Sequence, residues 1–214
     1  MPMPIQSQVG PQGPATAGAS FQPRLGPTGE LVENQMYGKY YEATRLGLVF
    51  TAANAVTGAA IPQATSTTQQ FVLFNPPSSG KRAILLKVTL GYVSATMTAG
   101  CITYSLNTSP VNAVTGTALV INNNFNGGSG IGASGMQAFS GATVVAMTLL
   151  RAAKYSQVVQ AATSTNSPWQ FDEDLDGSIV IGPGGAFAIG GNITLGTVAV
   201  ASVTWIEIPH IVGA

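Results

Sequence analysis

The chain has 214 residues, eight basic and eight acidic side chains and a single histidine; 45% of its residues are hydrophobic and only 7% are charged, against a usual ~25%. Zero formal net charge leaves no basic excess to neutralise phosphates or an anionic bilayer, which argues against nucleic acid and against polybasic membrane attachment. The length suits one generous domain or two small ones, and the apolar content is far above that of a disordered, solvating chain.

The opening residues MPMPIQSQVG carry no basic n-region and no apolar h-region, so neither a secretory signal nor a lipidation motif is expected. Met1 to Thr28 is spaced by Pro2, Pro4, Pro11, Pro14, Pro23 and Pro27 and offers few large apolar side chains. Proline fixes φ and removes backbone donors, so this part is predicted to be extended and to need a neighbouring surface to lie on. Gly10-Pro11-Gln12-Gly13-Pro14-Ala15 has collagen period, but two triplets are far too few for a triple helix.

Glu30 to Gly47 (ELVENQMYGKYYEATRLG) gathers Glu30, Glu33, Lys39, Glu42 and Arg45 with Tyr37, Tyr40 and Tyr41. Glu42 and Arg45 lie one helical turn apart and Gly47 can cap, which predicts a short helix within Lys39 to Leu46. The segment reads either as a strap docked on its own domain or as a contact for another subunit, through Lys39, Tyr40, Tyr41, Glu42 and Arg45. Residues 1–47 are therefore expected to form an arm and docking segment, and residues 48–214 the folded domain.

From Leu48 the hydrophobic period is two. Arg82, Ile84, Leu86, Val88, Leu90 and Tyr92 form one nearly apolar parity against Ala83, Lys87, Thr89 and Gly91, and Ile102, Tyr104 and Leu106 repeat the pattern. Further strands are expected at Gln70 to Asn75, Ala118 to Asn122, Thr143 to Leu150, Ser178 to Ile181, Ala186 to Ile189 and Val198 to Ile208, between turns rich in glycine, asparagine and proline. Eight or nine short strands predict an all-β fold, an antiparallel β-sandwich or jelly roll with an extended N-terminal arm. Val144 to Ala162 has helix-favouring composition, but Arg151, Lys154, Gln157 and Gln160 drift around a helix without forming a polar face, so strand, irregular turn, strand is preferred. No uncharged tract is long and apolar enough for a spanning helix, Val88 to Leu150 being broken throughout by polar residues and glycine. Asn-Ala-Val-Thr-Gly recurs at 54–58 and 112–116 with unmatched flanks, as two similar turns would.

Candidate sites are few. Asp172, Asp174 and Asp176 stand at alternate positions ahead of Gly177, as in the first half of a calcium loop, but the twelfth position is Pro183 where a bidentate glutamate belongs. The plainer reading is an acidic solvated turn, or a partner for a basic patch such as Lys81 and Arg82. Residues 1–100 hold six basic and three acidic groups and residues 101–214 two and five, an asymmetry that either orients neighbouring subunits or cancels within one sandwich. His210, next to Pro209 near the C-terminus, is the lone imidazole and Cys101 the lone thiol; no triad, disulfide or zinc set follows, and Cys101 reads as a packing residue. Glu207 with one of Asp172 to Asp176 satisfies the count for two-carboxylate hydrolysis, yet no motif fixes their spacing. The glycine-rich run 126–135 lacks phosphate-loop grammar. The chain reads as no enzyme and without a resident cofactor, calcium at Asp172, Asp174 and Asp176 being the single metal reading the pattern offers.

Gly29-Glu30-Leu31, then Gly38-Lys39-Tyr40-Tyr41-Glu42-Ala43, Phe74-Asn75-Pro76, Gly182-Pro183-Gly184-Gly185 before Ala186 to Ile189, and the closing Trp205-Ile206-Glu207-Ile208-Pro209 resemble small virion structural proteins of tailed bacteriophages, over most of Gly29 to Pro209. The resemblance implies a capsid decoration (cement) protein or head-fibre base: a β-sandwich that forms a homotrimer on the outer face of the phage capsid and clamps adjacent copies of the major capsid protein, after assembly in the host cytoplasm. The chain departs from that pattern in the length of its arm and in its scarcity of charge. A receptor- or glycan-binding fibre head is the alternative, with loops 122–135 and 163–173 presented and Trp169 available for sugar stacking.

Overall fold

The computed structural model describes residues 38–95, 98, 100–125, 133–145, 147–158 and 170–210. The expectations for the proline-rich arm, for most of the glycine-rich run and for Trp169 lie outside these residues. Glu42–Ala214 forms one compact unit. The elements in order are α1 (Tyr41–Arg45), β1 (Val49–Ala53), β2 (Ala59–Ala60), β3 (Thr68–Phe74), β4 (Lys81–Ser94), β5 (Gly100–Asn107), β6 (Thr115–Ala118), β7 (Ile121–Asn123), β8 (Gln137–Thr143), β9 (Met147–Val158), β10 (Gln170–Asp174), β11 (Val180–Ile181), β12 (Ala186–Gly191) and β13 (Val198–Pro209).

Two antiparallel sheets pack face to face as a β-sandwich. The first has the order β10-β4-β13-β1-β7, with β11 added to β4 and β2 to β13; the second has the order β6-β8-β3-β12-β5-β9. Between them lies the main core, in which Phe50, Leu85, Leu90 and Trp205 from the first sheet meet Phe71, Tyr104, Phe187 and Ile189 from the second. Trp205 is fully buried and stacks on Phe50 with ring centroids 6.2 Å apart.

In the middle of the second sheet β3 and β12 are buried on both faces, which explains why β12 reads AFAIGG with no polar residue. Phe187 and Ile189 face the main core, whereas Ala186 and Ala188 join a second apolar cluster with Val72, Phe74, Val111, Val114, Val144 and Met147. Along one side of the sandwich the chain itself makes the closure: β6 passes through Leu119 and Val120 into β7 of the other sheet, and Leu119 and Ile121 pack against the core. Along the other side the edges are β9 and β10.

The helix-or-strand question over 144–162 resolves as strand for the described part, since β9 pairs with β5 from Met147 to Val158. The expected strand Thr143 to Leu150 is displaced: Thr143 ends β8 and Met147 opens β9. The single inward parity read for β4 also fails. Val88 pairs with Val203 and Lys87 with Thr204, but Trp205 pairs with Leu85, so Leu86 is an extra residue and the inward face changes from Ala83 and Leu85 to Leu86, Val88 and Leu90. Ile84, expected inside, pairs on the other face with Ile206 and Val180.

The bulge is matched across the ladder by a break between β10 and β11. Leu175 N and Asp176 N donate to the Leu86 carbonyl and Gly177 N to that of Leu85. Asp176 and Gly177 have φ of 49° and 82°, and Ser178 N bonds back to the Leu175 carbonyl at 2.9 Å, a turn with two left-handed residues that Asp-Gly accommodates.

Candidate interaction surface

The segment singled out for partner contact begins at Gly38. Lys39 Nζ lies 5.2 Å from the centre of the Tyr40 ring, a cation–π contact, and Tyr41 is exposed. Glu42 falls within α1, and Arg45, in its last turn, is exposed. The helix stops as predicted: Gly47 takes a φ of 69°, its N–H bonds the Thr44 carbonyl at 2.9 Å, and Leu48 N bonds the Ala43 carbonyl at 3.0 Å. Leu46, inside this closing turn, is 58% exposed.

The acidic run is a strand where a turn was expected. Phe171 and Glu173 of β10, and Leu175 just beyond it, point toward the core, and Asp172 and Asp174 point away from it. Lys87 Nζ is 2.7 Å from Asp172 and 3.8 Å from Asp174. The hydrogen bond that Lys87 donates to Asp172 raises the lysine's pKa, assisted by the charges of both aspartates against a smaller loss of solvation. Asp176 lies beyond the strand, in the left-handed turn. Among the described residues no group of three or more histidine, cysteine, aspartate or glutamate side chains is placed to hold a metal ion.

Glu173 is buried. Tyr104 Oη donates to its Oε2 at 2.8 Å and Arg151 to its Oε1 at 3.0 Å, while the Arg151 guanidinium lies 5.4 Å from the centre of the Tyr104 ring. Burial, then the bond to Glu173 and that group's negative charge, push the Tyr104 phenol far above its ordinary pKa. These three residues come from β10, β5 and β9, so the polar cluster ties the two sheets together along the β9 and β10 side.

Glu207 forms a second buried cluster. Its Oε1 accepts from Trp205 Nε1 at 3.0 Å and from Ser134 Oγ; its Oε2 accepts from the Gly135 amide at 2.8 Å and from Lys81 Nζ at 2.9 Å. Burial alone would raise this carboxyl's pKa, but the bonds from Ser134, Gly135, Lys81 and Trp205 outweigh it and hold the group below the ordinary carboxylate range. Lys81 Nζ also reaches the Ala133 carbonyl at 3.4 Å, so residues 133–135 are held against β4 and β13.

Lys81 therefore pairs with Glu207, while Lys87 and Arg151 meet the acidic run. The opposite charges of the two halves meet inside one sandwich, through Lys81 with Glu207 and Lys87 with Asp172 and Asp174. Both buried glutamates have both oxygens engaged by donors of the fold. His210 is exposed, with its amide bonded to the Gly80 carbonyl at 2.8 Å; Cys101 is half-buried and free.

Apolar side chains do reach the exterior. Val145, Leu149 and Leu150 are 63%, 54% and 45% exposed. In the ladder Tyr104 pairs with Arg151 and Ser105 with Leu149, which leaves Leu150 as a bulge residue and turns two consecutive leucines outward from an edge strand. No described helix is long and apolar enough to cross a membrane. No protein-family model, no curated protein and no solved structure matched the chain.

Proposed function

We propose that the protein is a non-enzymatic structural component of a virion, a capsid decoration or cement protein that clamps neighbouring major capsid subunits on a phage head. The observation that supports this most is the internal use of charge. Lys81, Lys87 and Arg151 are each spent on carboxylates of the same chain, and the outer side of the β9 edge offers leucine in place of the charge that normally keeps a soluble surface apart from its neighbours. Such an exterior suits burial against protein. In the proposed arrangement the copies form a homotrimer, the proline-rich arm reaches a capsid subunit or an adjacent trimer, and Lys39, Tyr40, Tyr41, Glu42 and Arg45 contribute to the contact. Each contact is modest, and symmetry multiplies it.

The test is binding of the purified chain to intact capsids. The proposal expects retention on particles through sedimentation, greater heat resistance of the decorated particles, and weakened attachment when residues 1–28 are removed. Failure to bind any capsid, with binding to cells or glycans that is lost in Trp169→Ala, would establish the receptor-binding alternative instead.

A further inference from the structure

The outer face of the first sheet carries an apolar row. Ala83 and Leu85 of β4 and Trp205 and Glu207 of β13 turn inward, so Arg82, Ile84, Ile206 and Ile208 turn outward. In the ladder Ile84 lies between Val180 of β11 and Ile206, and Ile206 pairs in turn with Val49 of β1. Val49 is buried, which closes the row at β1, but Val180 is 48% exposed and Ile84, Ile206 and Ile208 are only half-buried.

Charge is distributed unevenly about this row. On one side stands Arg82, opposite Ile208 and so two β13 residues from Ile206. Among the described residues the ion pairs engage Lys81, Lys87 and Arg151 and none engages Arg82, whose Nε is buried without a hydrogen-bond partner. On the other side Lys87 stands opposite Thr204, also two β13 residues from Ile206, with Asp174 beside it on β10. Lys87 Nζ is 2.7 Å from Asp172 but 3.8 Å from Asp174, whose side chain is 67% exposed. One lysine between two aspartates leaves a surplus of negative charge. Residues two apart on a strand are separated by about 6.6 Å, so about 13 Å of sheet keeps Arg82 from that surplus within one copy.

The equal spacing on either side of Ile206 points to the occupant. A two-fold axis laid along the apolar row, across the strands, brings a second copy face to face with the first. It sets Val180, Ile84 and Ile206 against their own counterparts and exchanges the place of Arg82 with that of Lys87 and Asp174. Strands of the two copies then run along one another, as in aligned sheet packing. The unpaired guanidinium of each copy meets the surplus negative charge of the other, so the face is complementary to itself in charge as well as in apolarity.

We propose that the outer face of the first sheet is a two-fold contact between copies of this chain, with Arg82 of each copy set against Asp174 of the other. The contact does not rest on the capsid role, and it lies on a different surface from the β9 leucines. The test is sedimentation velocity of the full chain, with urea midpoints establishing that each variant is folded. Arg82→Glu and Asp174→Arg should each weaken self-association more than about tenfold, because like charges replace unlike ones at both symmetric positions. An equimolar mixture of the two variants should restore association, since a mixed pair again opposes unlike charges at both positions. Val180→Lys, an exposed position on the axis, should abolish the contact by setting lysine against lysine, and it decides the matter alone if Arg82→Glu does not fold. Unchanged association in folded Val180→Lys leaves the face to another occupant and overturns the proposal. So does a mixture of the charge variants that stays as dissociated as its components, or a parent chain that sediments as a single copy at every soluble concentration. Capsid retention is measured separately, and its absence with these results intact counts against the capsid role alone.

Discussion

Replacing Glu207 by glutamine preserves shape and removes the charge at the centre of the most heavily bonded carboxylate in the fold. The parent side chain accepts from Ser134, Gly135, Lys81 and Trp205. A glutamine amide has one acceptor oxygen, so its NH2 must face one of the two donor pairs. Lys81 is 36% exposed at its side chain and can turn to water, and the Ser134 hydroxyl can rotate, but the Trp205 indole is fully buried and the Gly135 amide is fixed. One stranded buried donor costs about 1–3 kcal/mol, and loss of the charge-assisted character of the remaining bonds adds about 1 kcal/mol, for a total near 2–4 kcal/mol. With a urea m-value of about 2 kcal/mol/M for a domain of this size, the midpoint should fall by about 1–2 M, read by tryptophan fluorescence. Lys81→Met should cost about 1 kcal/mol, because the carboxylate keeps its other three donors and the lost pair is partly solvated. The pH dependence has a definite sign. Since the folded pKa of Glu207 is depressed, its contribution is present above the unfolded carboxylate pKa of about 4.3 and is lost as pH falls through the folded value. The glutamine variant should lack that acid-side decline. A loss below about 0.5 kcal/mol at neutral pH, with the acid limb unchanged, would refute the view that this carboxylate holds residues 133–135 to the sandwich.

Tyr104→Phe removes one donor from buried Glu173 and should cost about 1–2 kcal/mol in the same assay. Folded Tyr104 remains neutral at pH values that ionise an unfolded tyrosine, so the parent should keep full stability below about pH 10 and lose about 1.4 kcal/mol per unit above it, a decline that the phenylalanine variant flattens. Lys87→Met breaks pairs to Asp172 and Asp174 that are all half-exposed, and should move the thermal midpoint by less than about 2 °C. Leu149→Ser with Leu150→Ser should leave the unfolding midpoint nearly unchanged, because both side chains already face solvent, while weakening self-association in sedimentation velocity and retention on capsids.

The alternation in the sequence made the sandwich legible, together with its glycine turns and the strands around Phe71, Tyr104, Phe187 and Trp205. The short helix closed by Gly47 was legible too. The buried acids were present in the same alternation. Period two places Glu207 on the face of Trp205, and Glu173 on the face of Phe171 and Leu175, an inward position that the sequence reading did not draw for either. Reading Asp172 to Asp176 as one acidic unit hid that Glu173 and its neighbours go to opposite sides. Their partners Tyr104, Arg151, Ser134 and Lys81 are distant in sequence, and no local pattern connects them. The β4 parity was misread for a related reason: Leu85 and Leu86 are equally apolar, so nothing local marks the bulge that brings both inside.

The β9 and β10 side of the sandwich joins a buried polar cluster to an apolar outer surface, and that combination bears on where contacts can form. On one side the chain crosses between sheets at Leu119 and Val120, so separating the sheets there would require moving covalent backbone. On the other, where β9 and β10 follow one another in the chain, Tyr104, Glu173 and Arg151 bond between the two sheets, and outside that cluster β9 turns Leu149 and Leu150 to solvent. Edge strands elsewhere in the fold are defended. β6 and β7 are short, and β10 carries Asp172 and Asp174 on its outer face. On β9 the described side chains of Leu149 and Leu150 face outward, and a protein as poor in charge as this one has few other means of keeping copies apart. An uncovered leucine pair on an edge strand is tolerable when the chain spends its working life against another surface, so the same feature that would be a liability in a solitary protein fits a subunit whose exterior is meant to be occupied.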